Sequence, residues 1–211
     1  MARSNPSGDK QVPFWQPLTV RSFLLLFIGE NISLLGNQFY LVALPWLTIQ
    51  LTDSGVSLGT VLMAAAIPRA ALLLLGGVVS DRLKPRIVMI TSNALRAVIA
   101  TLLTVVVALQ TIQIWHLYVF SVCFGILDGF FIPASKAIVP SLVKKKFLVA
   151  SNTLNQGMNQ LILTLGPVFG GLLIATVNIE SAFAIDAATF VLTTIFLLFI
   201  KGSIEPNIEP L

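Results

Sequence analysis

With 211 residues, 56% of them hydrophobic and 10% charged, the chain has too much apolar surface for a water-soluble fold, where about 25% are charged. Lipid must cover part of it. The net charge of +4 does not signal nucleic acid, because the basic residues sit in short connections between apolar runs and form no basic face. A single cysteine, Cys123, excludes an internal disulfide, and no cysteine or histidine cluster offers a metal site or implies a cofactor.

Residues 1–22 are polar, contain Pro6, Pro13 and Pro17, and read as a cytoplasmic N-terminal segment. The apolar run that follows is too long for a signal peptide and is expected to remain as a first helix. A span needs about 20 mostly apolar residues. Six stretches qualify: 23–47, 57–79, 87–109, 117–138, 153–177 and 182–200, the first closed by Pro45. Turn formers fill the connections, among them Asp53, Ser54 and Gly55. Together 23–200 read as a six-helix transmembrane bundle in an all-α membrane protein. Residues 201–211, with Pro206 and Pro210, read as the start of a cytoplasmic linker. Trp15, Trp46 and Trp115 fall at helix ends, as an aromatic belt requires, and His116 beside Trp115 reads as part of that belt.

Lysine and arginine sort to one side of these spans. Arg3, Lys10, Arg21, Arg82, Lys84, Arg86, Lys136, Lys144, Lys145, Lys146 and Lys201 share it, and the opposite loops contain none. The positive-inside rule then places both termini in the cytoplasm of a multi-pass protein of the cell (plasma or inner) membrane.

Apart from Lys136 at the basic end of the fourth, five charged side chains fall inside spans: Glu30, Arg69, Arg96, Asp128 and Asp186. Facing lipid, the five would cost roughly 12–18 kcal/mol, so they are expected to point into a polar cavity or at one another. Glu30, Ser33, Asn37 and Tyr40 share one stripe of the first helix. Asn152, Asn155, Gln156 and Asn159 share one stripe of the fifth, continued by Gly166 and Gly170. That row reads either as a wet cavity and sliding contact or as helix packing. At ~1.5 Å per residue, Arg96 stands roughly 14 Å into the third span, level with Asp128 on the fourth, so an ion pair is expected. Asp128 then has two readings, structural partner or transport group. Three acids against two arginines leave one acid unpaired. A carboxyl deprived of water and of a cation suits a proton carrier, and Glu30, on the most polar stripe, is the candidate.

Two strings carry a family resemblance. Between helices 2 and 3, Gly77, Asp81, Arg82, Lys84, Pro85 and Arg86 resemble the signature G-x-x-x-D-R-x-G-R-[RK] of the major facilitator superfamily, with Lys84 and Pro85 where Gly and Arg are usual. The resemblance implies a cytoplasmic gate loop in which Asp81 binds helix-end amides and Arg82 and Arg86 pair with acids. In the fifth helix, Gly166, Pro167, Gly170 and Gly171 look like the end of the antiporter motif G-P-x-x-G-G, with Ile162 where a glycine is expected. Ser33 to Asn37, Ile67 to Arg69, Phe131 to Ala134 and Ile185 to Phe190 are similar to the macrolide-efflux and enterobactin-exporter branch, where an acid often stands at the position of Asn37.

The resemblance implies an N-terminal six-helix half, itself a 3+3 inverted repeat, of a twelve-helix transporter. Proton-coupled export of lipophilic small molecules, of drug or siderophore type, is the implied function. Its partners would be the small-molecule substrate, protons, membrane lipid, and a C-terminal six-helix half or a second copy. A different reading is a stand-alone six-helix protein, either a homodimeric half-transporter or a non-transporting scaffold. An enzyme is not expected: no serine nucleophile motif accompanies His116, and Asp128 and Asp186 lack the flanking glycines of an aspartyl site.

Overall fold

The computed structural model describes residues 13–200, with backbone alone over 74–82. After a short 3-10 turn at Gln16–Thr19, six helices follow: α1 Arg21–Thr52, α2 Gly55–Arg82, α3 Pro85–Ala108, α4 Ile114–Leu142, α5 Leu148–Thr176 and α6 Ile179–Phe199. Each has a stretch long and apolar enough to cross a bilayer. The expected spans are all present. The expectations for 1–12 and 201–211 lie outside the described residues.

Most helices outrun the expected spans, and in α1 and α4 they do so through a proline, Pro45 and Pro140. Pro45 does not close α1; the helix continues through it to Thr52. Pro68, Pro133, Pro140 and Pro167 are likewise internal to α2, α4 and α5. In a bilayer a broken helix would leave many backbone groups with no water to bond, so losing one bond at a proline costs less than ending the helix there. What stops α1 is Asp53, which turns left-handed (φ 47°) and returns its N–H to Ile49 O at 2.8 Å. Pro85 opens α3, where a missing N–H costs nothing. His116 helps start α4: its Nδ1 accepts the Gln113 N–H at 3.0 Å, and the Trp115 ring stacks on it at 3.7 Å.

The packing has a hidden order. α2 lies on α4, α4 on α3, α3 on α6, α6 on α1 and α1 on α5. Exchanging α1–α3 with α4–α6 leaves this list unchanged. Three helices per unit make the second unit enter from the opposite side, so the two are an inverted repeat. α2 and α5 end the series, and among the described residues their apolar stretches are the least buried.

Two apolar clusters fill the bundle. Phe23, Met89, Ile138, Leu142 and Leu197 pack at the end that carries Lys144–Lys146, called the basic end below. Leu44, Leu103, Leu117, Phe124 and Phe183 pack at the other. Between them α1, α3 and α4 cross a band that holds Glu30, Arg96 and Asp128.

Candidate functional site: a charged cavity at mid-depth

Two connected hollows open in that band, of about 470 and 490 Å³. Both are lined by Glu30, Leu34, Ser135, Lys136 and Asn159, so they are lobes of one cavity. Each lies in the size range of small-molecule sites. The lobe nearer the basic end adds Asn31, Asn152, Asn155 and Gln156. The deeper lobe adds Ser33, Asn37, Gln38, Arg69, Arg96, Asp128 and Phe131. One end offers amides, the other charges.

The charges are organised around Asp128. Arg96, from α3, donates its Nη2 to Asp128 Oδ1, which makes the expected ion pair. Arg69, from α2, brings Nη1 to 3.9 Å from Asp128 Oδ2. α4 packs against both α2 and α3, so one carboxylate receives both arginines. This changes the expected charge count. The two arginines do not each take an acid, and of the three acids inside the spans two, not one, form no ion pair with a described residue: Glu30 and Asp186. Glu30 accepts a hydrogen bond from the Ser135 hydroxyl. Asp186 lines neither lobe: it is fully buried on α6, and neither carboxylate oxygen has a hydrogen-bond partner. The Arg96 guanidinium also lies over Phe131, 4.5 Å from the ring centre, and 5.6 Å from that of Phe190.

The two polar stripes divide. On α1, Glu30, Ser33 and Asn37 reach the cavity, but Tyr40 turns into the apolar cluster with its ring 4.8 Å from Phe124. On α5, the four amides line the cavity while the glycines pack. A Cβ on Gly166 would come 2.7 Å from Gln38 Cβ, and one on Gly170 3.2 Å from Val42, so these two let α1 approach. Gly171 faces open space and Pro167 is exposed, so half of the antiporter string makes no contact of this kind.

The gate string is mostly helix. α2 runs to Arg82 and α3 starts at Pro85, which leaves Leu83 and Lys84 as the connection. The side chains of Asp81 and Arg82, and the surroundings of Gly77, lie outside what is described. Among the described residues Arg86 meets no acid. It donates Nε to Leu197 O at 3.1 Å and Nη2 to Leu198 O at 2.8 Å, at the end of α6. The last carbonyls of a helix lack partners and carry its negative dipole, so a guanidinium fits there as well as at a carboxylate.

Sequence reasoning missed Asn31, Gln38, Ser135 and the inward role of Lys136. Ser135 had a signal, since it falls two turns beyond Asp128 on one face of α4. Lys136 was read only as a marker of sidedness. Among the described residues, no three of His, Cys, Asp or Glu converge to hold a metal.

The family described as transmembrane secretion effector matches residues 12–210, nearly the whole chain. The chain belongs to this family of major facilitator superfamily transporters. An uncharacterized transporter of the superfamily, YfiS of Bacillus subtilis (strain 168), is 26% identical over 181 residues, 85% of this chain and 42% of the relative. The multidrug efflux pump Tap of Mycolicibacterium fortuitum is 27% identical over 199 residues, 90% of this chain and 47% of its own. Macrolide efflux protein A of Streptococcus pyogenes is 22% identical over 193 residues, 88% and 48%. The chain thus spans about half the length of the relatives it matches. Its six helices are a half domain of the family fold, and it is a multi-pass membrane protein.

Proposed function

We propose that the chain is the N-terminal half of a proton-coupled exporter of lipophilic small molecules, in the plasma or inner membrane with both termini cytoplasmic. The observation that carries this reading is the mid-depth cavity holding Glu30, an acid with a hydroxyl neighbour and no described cation within ion-pair distance. A group so placed can take a proton and give it up without dismantling an ion pair. Two relatives named for multidrug and macrolide efflux support an amphiphilic cargo. The amide-lined lobe would meet its polar groups, and Leu34, Leu163 and Phe131 its apolar ones. The sparsely buried α2 and α5 flank the opening, where a C-terminal six-helix half would supply the missing wall.

The test joins this chain to a six-helix C-terminal half of the family and reconstitutes the product in liposomes. Export of a fluorescent amphiphile should follow an imposed proton gradient, and Glu30→Gln should remove that dependence while Ser135 still bonds the side chain. Gradient-driven export unchanged in Glu30→Gln would overturn the assignment of Glu30.

A further inference from the structure

Behind the cavity, on α6, which packs against α1, α3 and α5, stands a second polar group of a different kind. Asp186 has 0% exposure and no hydrogen-bond partner on either oxygen. A bare carboxylate is far more unfavourable there than a neutral acid, because neither water nor a donor offsets its charge. The titratable groups around it can be named. Arg96 from α3 and Asp128 from α4 stand within electrostatic reach, as does the Tyr40 hydroxyl from α1. α5 carries no titratable side chain.

Arg96 is the group these two sites share. It is 4% exposed and spends Nη2 on Asp128, while its Nε is buried without a partner. Its guanidinium already lies near the ring of Phe190, which is one turn from Asp186 on α6. The opposite partner, Asp128, does not depend on Arg96 alone, because Arg69 stands 3.9 Å from its other oxygen. Two arginines on one acid and none on the next make an arrangement from which one arginine can be released.

We propose that Arg96 is transferred between two aspartates, and that Asp186 holds a proton for as long as Arg96 rests on Asp128. In the second state Arg96 moves across Phe190 to Asp186, and Asp128 keeps Arg69. The O–H bond of Asp186 breaks as the guanidinium arrives, and its proton passes to water in the cavity. Before the step the four groups sum to one positive charge; afterwards they sum to zero, with one proton released. Arginine movement and proton release are thereby one event. The inference deepens the proton-coupled reading and rests on it, while adding an enclosed proton site distinct from Glu30.

Infrared spectroscopy of the full chain in lipid nanodiscs, with isotope-labelled aspartate side chains, tests this without any transport assay. At neutral pH the wild type should show a labelled protonated-carboxyl band, which Asp186→Asn removes and Glu30→Gln leaves. Asp128→Asn should also remove it, because Arg96, released, moves to Asp186. Adding Arg96→Gln to Asp128→Asn should bring the band back, a recovery that a misfolded variant could not give. A wild type without the band, or one that keeps it in Asp186→Asn, overturns the proton site. Persistence in Asp128→Asn, or no recovery in the double variant, overturns the transfer. Glu30 is invisible to the aspartate label, so failure here and failure of Glu30 in export are separate results.

Discussion

At the scale of single residues, the same side chain type does different work according to what it faces. Gly166 and Gly171 stand five positions apart on one helix, yet only Gly166 has a neighbour in the way of a Cβ. Gly166→Ala should destabilise by about 1–3 kcal/mol through overpacking against Gln38. Gly171→Ala should be neutral or stabilising, since alanine is the better helix former by ~1 kcal/mol in a soluble host. Thermal unfolding of the two variants in detergent checks the contrast; equal shifts would contradict the α1–α5 contact. The stripe on α5 was legible as a set of polar residues, but its division into cavity and contact was not. A stripe on a helical wheel is wide enough to touch two different neighbours, and only their positions tell which part meets which.

Among the helices, the contact that stands out is Arg86 on the end of α6. One guanidinium serves two carbonyls there, and the fork geometry suits it. Arg86→Ala should cost about 1.5–3 kcal/mol per the strength of charge-assisted hydrogen bonds, discounted toward the low end because part of the group is exposed. Arg86→Lys should recover only part, since an ammonium is a point charge. Hydrogen exchange reads this directly: amides in the last turn of α6 should lose protection in Arg86→Ala, and unchanged exchange there would rule the contact out. The location of the gate string after the second span was plain from sequence. Its helical backbone and the partner of Arg86 were not, because an arginine beside a predicted loop suggests an acid, and a helix end more than 100 residues away leaves no local trace.

For the whole molecule, the cavity and the outer faces make opposite demands on water. Gln156 lines the amide lobe, whereas Leu102 is 53% exposed on an apolar face of α3 that lipid must cover. In a Cys123→Ser background, cysteine at Gln156 should react with a charged maleimide added on the side of Lys144–Lys146, and cysteine at Leu102 should react at least about tenfold more slowly. Equal rates would mean that the amide lobe is not hydrated. The same labelling, done on sealed membranes from each side, also tests the proposed cytoplasmic position of the basic end.

Span number, the membrane environment and the depth of each charge followed from the amino-acid sequence, because hydropathy sums along the chain and helical rise converts position into height. Arg96 and Asp128 were matched in that way. Which acid took the second arginine, which part of each polar stripe turned away from the cavity, and why Asp186 has no partner were decided only when six helices took their places. Height is a property of one helix; partnership depends on the azimuth of two, and that is fixed by packing between residues far apart in the chain.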